Sequence, residues 1–257
     1  MPKTVAIGLY AYELPHPGGS KFKAFYEKAV AALAALQLKP TYLSVGGKGY
    51  PGKFTKYEGK VRAKLLSGDF ENIDTLTVAV NPAGSDAPSA DTYAEISLSY
   101  SDASNRAVLY VVIDEPYLAF NDARFNEMLS SFASLIEWHS GMAFETLRHY
   151  AAMFHILSLD DGKLEPDEYK RLVTWHGSST DERYKKIRDV YPINLVNEVQ
   201  LSAPVKPGQN LREYIRVGSN GTLMEIRPGK LWQWRIPEGS LDQIRKECRQ
   251  AGTTIVT

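Results

Sequence analysis

The sequence predicts an α+β protein, a mixed, largely antiparallel sheet covered by a central group of helices and followed by a carboxy-terminal unit of hairpin, helix and strand. Three observations lead there. Residues 1–118 are rich in strand-like runs, helical periods gather in residues 119–191, and turn and strand signals return in residues 192–257. Strands segregated from helices in this way favour α+β over a doubly wound sheet. With 257 residues, 44% of them hydrophobic, the chain can bury a substantial core as one domain, 1–257, of which those three stretches are subdivisions.

TVAIGLYAY (4–12) reads as the first strand, broken by Pro15, Pro17, Gly18 and Gly19 before Ser20, which is placed to cap a helix. In that helix Phe22, Phe25, Tyr26, Ala29, Val30, Leu33 and Leu36 fall on one stripe, and Pro40 ends it. TYLSV (41–45) is the second strand. TLTVAVN (75–81) and YAEISLSY (93–100) alternate apolar with small or polar residues, the pattern of half-buried antiparallel strands. VLYVVI (108–113) is apolar throughout, as a central strand covered on both faces requires.

Phe125, Met128, Leu129, Phe132, Leu135 and Ile136 mark one amphipathic helix. Phe144, Leu147, Ala151 and Phe154 mark another, and Thr180 to Tyr191 reads as a shorter one. Near the carboxy terminus, Asn220-Gly221 in REYIRVGSNGTLMEIRP predicts a hairpin turn, and LWQWRIP extends that sheet. Ser240 and Gln243 form a capping box for a helix that stops near Gly252, and TTIVT closes the chain as an edge or pairing strand.

Lys+Arg and Asp+Glu each total 30, so no global field attracts nucleic acid or an anionic membrane, and any such partner needs a local patch. Cys248 is the only cysteine, which excludes an intrachain disulfide and a multi-thiolate metal site. It falls in register with Leu241 and Ile244, where a small buried hydrophobe belongs. MPKTVAIGLYAYELP is interrupted by Glu13 and Pro15 too early for a secretory signal, and no apolar run approaches membrane-spanning length; the expected address is the cytoplasm.

Gly47-Lys48-Gly49-Tyr50-Pro51-Gly52-Lys53 follows a strand and fits the pattern of a phosphate loop up to its last position, and Asp114 in VLYVVIDEP stands where the partnering magnesium ligand would. The last position is Phe54, which has no hydroxyl for a metal. Pro51 also holds the residue before it extended, which suits a turn or a partner-contacting loop better than an anion cradle. DDGKLEPDEYKRL (160–172) has the glycine and glutamate of a calcium loop, but Leu157 and Leu159 occupy two of the first three ligand positions, leaving a helix-to-helix turn. His139, His149, His155 and His176 cluster loosely, and Glu145 precedes His149 by four residues, too thin a set for zinc. No serine elbow or activated cysteine occurs, so no catalytic residue, metal or cofactor is expected.

Recognition is the alternative use of such side chains. Trp232 and Trp234 stand two apart, on one face of a strand, as core or as interface anchors. Tyr50 and Tyr117 sit in or beside turns, and Asp114 and Glu115 end the central strand.

The tyrosine-rich strand GLYAYELP and the terminal segment NGTLMEIRPGKLWQWRIPEGSLDQIRKECRQAGTTIV make the chain resemble the immunity proteins of bacterial polymorphic toxin and type VI secretion systems, most of all the immunity-52 family. The resemblance implies a non-enzymatic protein that binds and silences a cognate secreted toxin encoded by a neighbouring gene, typically a nuclease of restriction-endonuclease-like fold. No direct nucleic-acid or membrane partner is expected. The residues above suggest the contacts: Tyr50, Asp114, Glu115, Tyr117, Trp232 and Trp234. Two other readings stay open, a nucleotide-binding enzyme using residues 47–53 with Lys53 on phosphate, and a structural component of a phage or secretion system.

Overall fold

The structure, a computed structural model, describes residues 3–81, 92–147, 149–160, 166–217 and 220–256. The chain is α+β, with ten strands in a large, largely antiparallel sheet and two short strands in a separate ladder. Contacts divide it into two compact units: Met1–Gly8, Glu13–Glu137 and Glu145–Met153 form the first, and Leu9–Tyr12, Trp138–Phe144 and Phe154–Thr257 form the second.

The first unit holds the start of β1 (Thr4–Ala11), then α1 (Gly19–Ala35), β2 (Tyr42–Gly47), β3 (Phe54–Lys56), α2 (Lys60–Leu66), β4 (Ile73–Val80), β5 (Ala94–Ser101), β6 (Arg106–Asp114) and α3 (Ala123–Ala133). Its strands stand in the order β1, β6, β5, β4, β2, β3. The ladders from β6 to β3 are antiparallel, with Ala94 opposite Ile113, Val80 opposite Ala94 and Gly47 opposite Ile73. Residues 107–113 of β6 are all buried, as a central strand demands. α1 packs on β4 and β5 and against α3, where the rings of Phe25 and Phe132 lie 6.1 Å apart.

Two expectations change here. Ser20 lies inside α1, whose N-cap is Gly18; the helix ends at Ala35, well before Pro40, because Gln37 at φ 60° turns the chain so that the Leu38 amide reaches the Leu33 carbonyl at 2.9 Å. β4 and β5 are buried on both faces rather than one. Their buried polar groups are satisfied within the sheet: the Thr77 and Ser97 hydroxyls bond at 2.8 Å, and the Tyr110 hydroxyl of β6 donates to the Glu95 carboxylate of β5.

The second unit contains most of β7 (Ser140–Thr146), the end of α4 (His149–Leu157), α5 (Pro166–Gly177), α6 (Thr180–Lys185), β8 (Ile193–Val196), α7 (Glu198–Leu201), β9 (Pro204–Lys206), β10 (Gln209–Asn210), α8 (Leu211–Arg216), β11 (Thr222–Arg227), β12 (Leu231–Arg235) and α9 (Leu241–Gln250). The strand order is β11, β12, β8, β7, then the last residues of β1. Trp234, Tyr214, Ile215, Ile244 and Cys248 meet in its core. Burial pushes the Cys248 thiol up to about 11, as befits an inert packing residue.

Three turn and helix expectations are corrected in this unit. Phe144 belongs to a strand, since Gly141, Met142 and Ala143 pair with Leu195, Asn194 and Ile193 of β8, and the helix begins only at His149. Sheet pairing there overrides a helical spacing of apolar residues. Asn220-Gly221 is no hairpin turn: α8 occupies residues 211–216, and the hairpin closes between β11 and β12. Ser240 sits at the N-cap of α9 without a side-chain bond, while the Gln243 amide donates to Glu247 at 2.5 Å instead of folding back. TTIVT contributes one parallel bridge, Ile187 to Thr254. Among the described residues no helix is long and apolar enough to cross a membrane.

Candidate interaction surfaces

β2 leaves the sheet at Gly47 and returns as β3, pairing Ser44 with Phe54 and Tyr42 with Lys56. The glycine segment is therefore the loop of a hairpin, closed by Tyr50 N–H to the Gly47 carbonyl at 3.1 Å and Gly52 N–H to the Val45 carbonyl at 3.0 Å. A phosphate cradle needs a helix directly after the loop, and here a strand follows. Tyr50 is pinned: its hydroxyl donates to the Asp69 carbonyl at 2.5 Å and the Lys64 ammonium lies 3.9 Å from its ring centroid. Lys64 also reaches the Gly49 carbonyl at 3.2 Å and the Asp69 carboxylate at 3.0 Å. Burial, and then the Asp69 charge, push the Tyr50 phenol up to about 12.

Asp114 closes β6 and does not meet this loop. β5, β4 and β2 separate β6 from β3, about 19 Å across the sheet at ~4.8 Å per strand. The ladder also places Gly47 beside the first residue of β4 and Ile113 level with the last. Lys53 and Asp114 consequently cannot share one phosphate. Asp114 instead accepts from the Thr4 hydroxyl at 2.7 Å, and its backbone N–H donates to the Tyr93 carbonyl at 2.8 Å.

Glu115 and Tyr117 do gather with Asp114. The Glu115 N–H donates to the Lys3 carbonyl at 2.8 Å, the Tyr117 N–H donates to the Asp114 carbonyl at 3.0 Å, and the Tyr117 ring lies 5.4 Å from that of Tyr93. The Glu115–Pro116 bond is cis. All three side chains are half-buried, leaving two carboxylates and two phenol rings at one strand end. Such a corner suits a cationic protein surface, with the aromatic rings supplying contact area.

The tryptophan pair lies in the second unit. Trp234 is fully buried and its indole N–H donates to the Asn220 carbonyl at 2.9 Å. Trp232 is buried beneath the Arg212 guanidinium, 4.8 Å from the ring centroid. Gln233, on the opposite strand face, is buried too, so this strand is core on both sides.

Three of the four clustered histidines go into separate bonds, and the side chain of His149 lies outside the described residues. His139 Nδ1 accepts from the Tyr12 N–H at 3.0 Å, His155 Nε2 meets the Tyr191 hydroxyl at 2.9 Å, and His176 meets the Ser158 carbonyl. Burial, with Arg188 and Arg171 nearby, holds His155 well below the usual histidine range. Among the described residues no group of three or more potential ligands converges on a metal position. The calcium-loop segment falls partly on residues 161–165, outside the described residues, while Asp167 and Glu168 sit in the first turn of α5.

Sequence reasoning missed the buried Asp189, whose carboxylate takes Arg249 at 2.6 Å and ties the segment before β8 to α9. The two residues are sixty positions apart, and nothing local signals their pairing.

No protein-family model matches the chain, and no curated protein matches it. Among solved structures, the fold is similar to that of the Pseudomonas aeruginosa T6SS protein PA0821, with a TM-score of 0.62, 12% identity, and coverage of 98% of this chain and 77% of that one. At that identity the likeness is one of fold.

Proposed function

We propose that the chain is a non-enzymatic immunity protein of a type VI secretion or polymorphic toxin system, akin to the immunity-52 family. It binds a cognate antibacterial toxin, a nuclease, in the cytoplasm of the producing cell and blocks it. The observation that carries this reading is the shared fold with a T6SS protein along 98% of the chain, which joins the resemblance at both ends of the sequence. The corner of Asp114, Glu115 and Tyr117 supplies a mode of action, since a nuclease surface is cationic where it holds nucleic acid and carboxylates beside aromatic rings complement it.

The test is co-expression with the product of the neighbouring gene. A one-to-one complex and rescue of growth are expected, and Glu115→Lys should weaken binding at least about tenfold by setting like charges against each other. Rescue that persists unchanged in Glu115→Lys and Tyr117→Ala would move the interface elsewhere. Failure of the wild-type chain either to bind or to protect would end the immunity reading.

A further inference from the structure

β11 ends the strand order of the second unit, and among the described residues its outer edge has no neighbouring strand. Such an edge offers unpaired N–H and C=O groups to any extended chain that reaches it. Beside it runs a groove of about 390 Å³, lined by Arg212, Ile215, Arg216, Leu223, Glu225 and Trp232. Alternation puts Leu223 and Glu225 on the groove side and Met224, 51% exposed, on the other. Val217, 58% exposed, follows α8 directly. An open backbone edge and a concavity therefore coincide, with Met224 uncovered on the other face of the same strand.

The charges select the occupant. Arg212 is shared between the Trp232 ring and Glu198. Glu225 is held by its own hairpin, accepting the Gly229 N–H at 2.6 Å. Arg216 is exposed and has no carboxylate partner among the described residues. We propose that this edge receives an extended acidic segment of a partner protein, added to β11 as a further strand with its carboxylates set against Arg216 and the rim of Arg212.

Side chains of an added strand point alternately to the two faces, so those on one face meet the guanidinium groups and those on the other cover Met224. A segment alternating acidic and apolar residues satisfies both. A basic segment would face two guanidinium groups, and a purely apolar one would leave Arg216 unanswered. A second copy of the chain fits poorly, because its own β11 offers a single carboxylate, Glu225, and brings the guanidinium of Arg227 with it. Main-chain bonds to the edge give affinity and the groove gives selectivity. The inference holds whether or not the partner is a toxin.

The experiment pans a displayed library of random decapeptides against the full chain and against Arg216→Glu, an exposed substitution whose folding is checked by its melting curve. Wild type should enrich peptides alternating acidic and apolar residues, and these should bind Arg216→Glu at least about tenfold more weakly. The variant should enrich basic residues instead. Adding an enriched peptide to wild type should slow amide exchange within Thr222–Arg227. Enrichment of peptides lacking carboxylates, protection of amides elsewhere, no enrichment at all, or a chain that dimerises through this strand would each overturn the proposal.

Discussion

The loop at Gly47–Lys53 reverses the chain between two paired strands, whereas Asn220-Gly221 leads from a helix into a strand, and the two glycines that matter serve the same purpose in these different settings. Each lets backbone pass where a side chain has no room. At Gly47, φ is 136° and a methyl group would stand 1.9 Å from the Asn72 carbonyl oxygen. At Gly221, φ is 124° and a methyl group would stand 2.4 Å from the Arg235 carbonyl oxygen and 2.7 Å from the Trp234 indole nitrogen. Glycine here reports close approach by a neighbouring strand, and the name of the turn is secondary.

The comparison breaks most sharply at those two positions. Gly47→Ala forces backbone against backbone and should destabilise the chain by about 3 kcal/mol or more, read from the midpoint of urea unfolding. Gly221→Ala should cost somewhat less, about 2 kcal/mol, because the Trp234 ring can yield slightly although the Arg235 carbonyl cannot. Equal and negligible losses would mean that neither glycine is held by its neighbours.

Asn220 sharpens the contrast from the side-chain direction. Its amide donates to the Tyr214 carbonyl at 2.9 Å and the Val217 carbonyl at 3.1 Å, closing the end of α8, while its own carbonyl receives Trp234. A residue that looks like the first half of a hairpin turn is a helix terminator. Asn220→Ala should lose about 1 kcal/mol in the same unfolding assay, and Asn220→Asp should recover little, since a carboxylate has no N–H to donate.

These details explain how much was legible. Strands with continuous or alternating apolar runs, such as residues 108–113, are fixed by composition alone, and the class α+β follows from them. Apolar residues at 144, 147, 151 and 154 share a helix period, but the pairing partner that makes 140–146 a strand lies about fifty residues away. The same holds for Asn220, whose helix α8 is held by the core around Trp234 and Cys248. For the surface, the gathering of Asp114, Glu115 and Tyr117 was readable from adjacency. The α8 groove was hidden, because its lining comes from a helix and two strands whose packing no local pattern encodes.

The smallest predicted effect lies in the first loop and has a pH signature. Tyr50 donates its hydroxyl to the Asp69 carbonyl and lies under Lys64, so Tyr50→Phe should cost only about 0.5 kcal/mol at neutral pH. The phenol is raised in the folded chain to about 12, from about 10 when unfolded, so the folded state holds this proton more tightly. Its contribution is then complete below pH ~10 and drains away as pH climbs through ~12, because the unfolded chain ionises first. Tyr57, also raised to about 12, titrates in the same window in both proteins and cancels in the difference. Wild type minus Tyr50→Phe should therefore shrink between pH 10 and 12, and a difference that stays flat across that window would mean the loop leaves the Tyr50 ring unclamped in solution.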